Sequence, residues 1–562
     1  ALALVATELT ALDHPDRAVF YTSGRTSNEA AFLYQLLVRR FGTNNLPDCS
    51  NMCHESSGRA LEATIGIGKG SVTLDDLERS DLIFVVGQNP GTNHPRMLST
   101  LERARRNGAA IVAVNPLPEA GLLRFRNPQK VRGVVGSGTA LATHHLQVRV
   151  NGDLALFTLL GRRLLEDGVL DHEFIATHTD GFDEWAAHVR ATDVEELLAI
   201  AGVPAEQLEE VHRVVSSASS IIVCWAMGLT QHRNSVATIR EVVDFLLLGG
   251  NIGRPGAGVC PVRGHSNVQG DRTMGIFEQP PDWLPRLGEE FGFSPPTEVG
   301  LDTVRSIEAM RDGRASVFVG MGGNFVAAAP DTAVTAAALR RCRLTVQVST
   351  KLNRSHLECG EQALILPALG RTDRGEPVSV EDSMGTVHLS AGTLEPPSPQ
   401  VHSEVRIIAG LARALFGATD ATDWERFARD HDAVRDHIAA VVPGFEDFNR
   451  RVRRPGGFLL PHGPRDERRF DTATGRARFT VNPVEALAVP DGHLVLQTLR
   501  SHDQYNTTIY GLDDRYRGIH GGRRVVFVHP EDLAAAGVAD GEIVDVVSVH
   551  LGVERVGERF RA

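Results

Sequence analysis

Short apolar runs of the fully buried strand type, each passing into a polar turn and then an amphipathic helix, constrain this chain more than anything else in it. In Leu82-Ile83-Phe84-Val85-Val86-Gly87 no position is left for a solvated face, so both sides of the strand have to be covered. The turn Gln88-Asn89-Pro90-Gly91-Thr92-Asn93-His94-Pro95 follows, then a helical pattern to about Arg106, then a second strand, Ile111-Val112-Ala113-Val114-Asn115-Pro116. Strand, turn, helix and strand in that order make the unit of a parallel α/β sheet. The pattern recurs at Ser220 to Trp225 with the turn Ala226-Met227-Gly228-Leu229-Thr230-Gln231, and at Ser316 to Met321 with Gly322-Gly323-Asn324. Ala18 to Tyr21 reads as a further strand, and Ser27 to Phe41 as a helix opened by Ser27-Asn28-Glu29-Ala30.

At 562 residues the chain is too long for one ordinary core, so several domains sharing one site are expected. The carboxyl-terminal part changes character. After a helical, charge-rich stretch from Thr422 to about Val442 and the Pro/Gly/Arg-rich Arg453 to Arg468, β-type runs appear at Leu494 to Leu496, Val525 to Val528 and Glu542 to Val547. A short helix closed by glycine lies between the last two, over His529 to Gly541, and the set predicts a small β-barrel domain.

Turns at the carboxyl ends of parallel strands are where such sheets bind nucleotides: glycine lets backbone approach a pyrophosphate, and Asn, Thr and Gln supply hydrogen bonds. None of these turns spells GxGxxG, which disfavours an ordinary nicotinamide dehydrogenase. The run Gly249 to Gly258, leading into Val259-Cys260-Pro261-Val262-Arg263-Gly264-His265-Ser266-Asn267-Val268-Gln269-Gly270-Asp271, reads as a ligand-lining connector. In it Asn267 or Gln269 holds a large polar cofactor, and Arg263 offers a planar fork to a carboxylate. In Asp48-Cys49-Ser50-Asn51-Met52-Cys53-His54-Glu55 a soft thiolate stands beside an imidazole, a pairing suited to a redox metal and to the proton its substrate releases.

Other classes are disfavoured. A net charge of −12 argues against a nucleic-acid duplex as partner, and no apolar run reaches the length of a membrane span. Six cysteines in this length form no disulfide framework, which predicts a reducing cytoplasm. Cys224, Cys260, Cys342 and Cys359 read as core residues; Cys49 and Cys53 lack a second pair at zinc-finger spacing. There is no signal peptide, and the chain opens at Ala1 inside a helical pattern, as a piece of a longer protein would.

From about Tyr21 to its end the chain resembles the molybdopterin oxidoreductases of the formate dehydrogenase alpha-like, YdeP-like branch, which is linked with acid resistance. The resemblance rests on separated motifs in the expected order: Tyr21 to Ala30, Cys49 to His54, Gly87 to Pro95, Gly264 to Arg272, Lys351-Leu352-Asn353-Arg354-Ser355-His356, and Arg500 to Tyr510. It implies a molybdenum bis(molybdopterin guanine dinucleotide), bis-MGD, held between two parallel-sheet α/β domains and a carboxyl-terminal double-psi β-barrel. The implied domains are residues 1–47 with 266–480, residues 48–265 carrying the metal-ligand cysteine, and a partial dinucleotide-binding barrel at 485–562.

Cys53 falls on the molybdenum ligand, His54 on the adjacent proton acceptor and Arg263 on the arginine that orients formate. Cofactor contacts are implied for Gly87, Asn89, Pro90, Asn93 and His94, for Asn115, and for Gly228, Thr230 and Gln231. Further along they are implied for Gly250, Asn251, Gly264, His265, Asn267 and Gln269, then for Gly322, Asn324, Lys351 and Asn353. In the last domain they fall on Arg500, Ser501, Asp503, Gln504 and Asn506.

The chain departs from the family pattern in three ways. It lacks the amino-terminal cysteines for a [4Fe-4S] cluster, which is expected only from a missing preceding segment. Its barrel stops short of the final strands. Glu55 follows His54 where better-known formate dehydrogenases have glycine. The expected activity is a two-electron oxidation of formate to carbon dioxide, with electrons passed to a partner the sequence does not identify. The alternatives are the same cofactor acting on another small substrate or oxyanion, or a catalytically silent pterin-binding or partner-binding subunit.

Overall fold

The computed structural model describes residues 1–502, 504–505, 507–508 and 511–562, and divides them into two units: Ala1–Pro90 with His94–Val495, and Gly91–Asn93 with Leu496–Ala562. Two parallel sheets organise the first unit. One has the strand order Ala18–Thr22, Val317–Met321, Leu344–Ser349, Gln362–Pro367. The other runs His144–Leu146, Ala110–Val114, Leu82–Val86, Ile221–Trp225, Gly258–Pro261. The chain leaves the first sheet after one strand, builds the second between residues 82 and 261, and returns to the first at Val317.

The apolar runs are continuous because both faces of each sheet are covered, and side chains alternate between those faces. Leu82, Phe84 and Val86 pack with Val112, Val114, Val223 and Trp225 on one face, where Phe84, Phe157 and Phe245 form an edge-packed trio with centroids 5.6–5.8 Å apart. Ile83, Val85, Ile111, Ala113 and Cys224 take the other face, against Leu98 and Leu101 of the helix Pro95–Arg106. Each such side chain contributes roughly 1.5–3 kcal/mol through burial.

The helix Asn28–Phe41 starts where Ser27 accepts a hydrogen bond from the Ala30 amide, and ends at Gly42 in the left-handed region, φ 113°. Its polar residues are buried and paired. Glu29 meets Arg435 at 2.6 Å, and the Arg39 guanidinium bonds Asn44, Gln35 and the carbonyls of Gly275 and Phe277. These bonds fix the end of the 264–277 segment, which borders the candidate site. The charge-rich stretch after Thr422 forms two helices, Trp424–Phe427 and His431–Val441, each capped by an aspartate side chain, Asp423 and Asp430.

In the second unit Ile543–His550 pairs antiparallel with Val553–Arg561, Gln504–Tyr505 pairs with Thr507–Thr508, and Pro530–Ala535 is the short helix expected before glycine. Two of the expected strands do not form. Leu494 to Leu496 joins no ladder, and Val525 to Val528 contributes only a bridge from Val525 to Arg561. An apolar run becomes a strand only where a neighbour offers its backbone groups over several residues, and among the described residues only Arg561 offers any here, bonding the Val526 amide and the Arg524 carbonyl. Among the described residues no helix is long and apolar enough to cross a membrane.

Candidate active site

Cys53 and His54 sit on a tight loop between two caps. Asp48 and Asn51 form a reciprocal capping box that starts the 3-10 turn Cys49–Met52; Cys53 closes that turn, and His54 precedes the helix Glu55–Ile65. Cys49 is spent in packing: its buried Sγ accepts the Gly24 amide at 3.1 Å, and burial raises its pKa. Cys53 is half-buried, with Sγ 3.3 Å from Sδ of Met227. Met227 opens the turn after the strand Ile221–Trp225, so the thiol stands at the carboxyl end of the five-stranded sheet. Gln231 in the same turn donates to the carbonyls of Met52 and Cys53, at 3.1 and 3.3 Å.

His54 is 1% exposed, and its Nδ1 lies 3.1 Å from Ser57 Oγ, which also accepts the Trp225 indole N–H at 3.0 Å. Its Nε2 is buried without a hydrogen-bond partner among the described residues. Burial, then the charges of Arg263 and His94, push its pKa down to about 3 against the opposing pull of the Val262 backbone, so the imidazole rests neutral. Arg263 is buried too. Nη2 donates to the Gly68 carbonyl at 2.9 Å, while Nε is buried without a partner among the described residues. Burial and neighbouring Arg272 lower its pKa, and Cys53, Glu381 and Asp48 oppose them.

The glycine turns meet here. The Gly228 amide donates to the Gly87 carbonyl at 3.0 Å, and a Cβ on Gly228 would lie 2.4 Å from Gly87 Cα. Gln88 pairs with His94 at 3.2 Å, Asn89 with Glu119 at 2.6 Å, and Asn115 with the Gln88 carbonyl at 3.4 Å. Pro90 begins the helix Pro90–Asn93, whose last residues, including Asn93, group with the second unit. Thr230 is buried, its carbonyl accepting from Ser56.

Beyond Arg263, Gly264 borders open space, and the Cβ of His265 lies 3.0 Å from where one on Gly24 would stand. Asn267 is wholly occupied by protein, bonding Thr26, Asn28, Asp271 and the Glu381 amide; Gln269 donates to Glu381 at 2.9 Å and keeps Oε1 unpartnered among the described residues. On the first sheet Gly322 and Gly323 take left-handed φ beside Ser23, Asn324 accepts from Ser355, Asn353 donates to the Gly323 carbonyl, and Lys351 is exposed.

Two placements differ from the rest. Asn251 accepts the Ile221 amide at 3.1 Å, at the amino end of the strand whose carboxyl end leads to Met227, and Gly250 sits beside it. In the second unit Arg500 and Ser501 bond Arg517 and Gln504, while Asp503 and Asn506 lie outside the described residues.

Sequence reasoning missed Met227, Ser57, Trp225 and Arg272 as partners. The Arg272 guanidinium forks onto Asp48 at 2.7 and 3.1 Å and reaches Glu55 at 3.0 Å. Its position at the end of the Gly264 to Arg272 motif was the available signal.

The glycine cradle, open space at Gly264, orphaned nitrogens of His54 and Arg263 and one soft sulfur together fit a large polar cofactor. Among the described residues no group of three or more His, Cys, Asp or Glu could hold a metal.

Comparison with known proteins agrees with this chemistry. The molybdopterin oxidoreductase model matches residues 1–358, and the molydopterin dinucleotide binding domain model matches residues 494–554. The chain is similar to an uncharacterized oxidoreductase of Mycobacterium tuberculosis H37Rv, 63% identical over 561 residues, covering 98% of this chain and 72% of the relative. It is similar to protein YdeP of Escherichia coli K12, 44% identical over 577 residues and covering 99% and 76%, and to formate dehydrogenase H of the same organism, 33% identical over 290 residues and covering 51% and 38%. Acetylene hydratase from Pelobacter acetylenicus shares the fold at a TM-score of 0.68 and 14% identity, over 97% of this chain and 77% of that one.

Proposed function

The chain belongs to the molybdopterin oxidoreductase family, and from that premise we propose that it oxidises formate to carbon dioxide with loss of two electrons and one proton. The observation that carries this reading is the meeting of Cys53, a neutral buried His54 and a buried Arg263 at the carboxyl end of one sheet. A bound molybdenum bis-MGD would supply the two-electron acceptor, with Cys53 as the protein's soft ligand and the turns at Gly87, Gly228 and Gly322 admitting the dinucleotides. Arg263 attracts the substrate anion and orients its carboxylate through nitrogens that Gly68 does not occupy. His54 relays the released proton rather than storing it, its ring returning to neutral, while Ser57, held by Trp225, fixes the ring. The likeness to formate dehydrogenase H over half of the chain supports formate over other small anions. A reducing cytoplasm suits six cysteines that form no disulfide among the described residues.

The test is to produce the protein in cells supplied with molybdate, then to measure molybdenum content and formate-dependent dye reduction. Stoichiometric molybdenum with formate turnover supports the proposal. Molybdenum with turnover of an oxyanion but none of formate replaces the substrate, and absence of molybdenum turns the reading toward a silent subunit.

A further inference from the structure

The loop that carries Cys53 and His54 is gripped from both sides by one side chain. Upstream, Arg272 Nε and Nη2 fork onto the two oxygens of Asp48 at 3.1 and 2.7 Å, and Asp48 is fully buried. Downstream, the same Nη2 reaches Glu55 Oε2 at 3.0 Å. Glu55 is the first residue of the helix that follows His54, where a carboxylate also favours the helix amino terminus. The guanidinium is itself fixed, lying flat on the Phe277 ring with Cζ 3.9 Å from the centroid. The other tethers to the Glu55 carboxylate are the Arg59 Nε at 3.0 Å, from the same helix, and the Asn51 amide at 3.4 Å. The Arg59 bond stays within the helix, and the Asn51 amide adds a second, longer link, to Glu278 at 3.4 Å, just beyond the segment bearing Asn267 and Gln269.

We infer that Arg272 is a positioning residue for Cys53 and His54: through Asp48 and Glu55 it closes the Asp48 to Glu55 loop and registers it against residues 264–273. Arg272 does not touch the reacting atoms. It acts by holding both flanks of the thiol at once, which needs the planar fork of arginine; a lysine ammonium keeps the charge but cannot span the two carboxylates in the same geometry. The inference rests on the functional reading above for the meaning of Cys53, but its structural content does not depend on the substrate.

The experiment compares alkylation of Cys53 and Cys359 by iodoacetamide, followed by peptide mass spectrometry, in full chain produced without molybdate. Both thiols are half-buried, and Cys359 serves as the internal reference. With the loop released by Arg272→Lys, Cys53 should react roughly tenfold faster while Cys359 keeps its wild-type rate. Glu55→Gln, which weakens one arm only, should give a smaller acceleration, and the double variant should add little to Arg272→Lys alone. Because charge is conserved in Arg272→Lys, the change reads geometry rather than thiol ionisation. Equal acceleration of both cysteines, or of neither, overturns the inference. If Arg272→Lys does not fold, Glu55→Gln is judged by the same criteria. In molybdenum-loaded protein the expectation is a lower kcat at nearly unchanged KM. Absence of formate turnover in the unaltered protein would remove the substrate assignment and leave the alkylation result standing.

Discussion

The contact between the turns at Gly87 and Gly228 gives a prediction whose size can be worked from geometry. Gly228 is not in a left-handed conformation, so Gly228→Ala meets no φ penalty and the whole effect is steric. The added methyl would stand 2.4 Å from Gly87 Cα, 2.5 Å from its carbonyl oxygen and 2.8 Å from its carbonyl carbon. Those are backbone atoms that no rotamer change can move, so relief requires the turns to separate by about 1 Å, judged against ordinary carbon contacts of ~3.5–4 Å. Separation lengthens the Gly228 to Gly87 hydrogen bond beyond its useful range, at about 0.5–1.5 kcal/mol, and overpacking adds about 1–3 kcal/mol. A loss of about 2–4 kcal/mol is therefore expected. Urea unfolding with hydrogen exchange read on peptides of the five-stranded sheet would measure it. The same shift carries Met227 away from Cys53, so cofactor retention should fall in parallel. A loss below about 0.5 kcal/mol would refute the backbone-to-backbone contact.

Replacing Cys53 with Ser exchanges a soft sulfur for a hard, poorly ionised oxygen; turnover should fall by orders of magnitude with an unchanged circular dichroism spectrum, and unchanged turnover would remove the ligand assignment. Arg263→Lys keeps the charge and loses the fork, so kcat/KM for formate should drop roughly ten- to a hundredfold at constant molybdenum content. Glu241 and Asp244 are buried together, held by Thr480 and Asn482 with no cation among those partners, and burial lifts Glu241 to about 7 and Asp244 well above the carboxylate range. The folded pair holds a proton that the unfolded chain releases near 4.5, so its contribution is fully present below that pH and is lost as pH rises through about 7. Thermal melts should show unaltered protein losing more stability from pH 5 to pH 8 than Glu241→Gln does; equal slopes would contradict the assignment.

Much of the sheet architecture was legible because these strands carry their burial in their own composition. Leu82–Val86, Ala110–Val114, Ile221–Trp225 and Val317–Met321 emerge within a residue or two of the apolar runs, and Ser27 and Gly42 mark the ends of the helix Asn28–Phe41. Gly258–Pro261 was hidden inside a glycine-rich connector, being only four residues long and opening on a glycine. Leu494 to Leu496 and Val525 to Val528 misled because strand formation depends on a distant neighbour, and local hydrophobicity is silent about one. The site divides in the same way. Cys53 and His54 are adjacent in sequence and could be seen as a pair, whereas Met227 reaches Cys53 across 174 residues, Trp225 reaches Ser57 across 168 and Arg272 reaches Asp48 across 224. Asn251 shows the converse: a polar residue beside glycines looked like a ligand contact, but its side chain orders the opposite end of a strand.

The interrupted first sheet has a consequence for synthesis. Ala18 pairs with Val317 and Thr22 with Met321, so the first strand leaves the ribosome about 300 residues before its partner does, a delay of roughly 15–60 s at bacterial elongation rates. During that wait Val19, Phe20 and Tyr21, all buried in the finished molecule, lack the strand that pairs with one edge, whereas the other edge is bonded by Asn45 and Pro47 and Phe20 packs on Tyr34 and Phe41, all synthesised soon after it. The five-stranded sheet needs nothing beyond Pro261 for its own strands and can close meanwhile. The nascent chain thus carries a completed middle and, at residues 18–22, one sheet edge that waits for its partner.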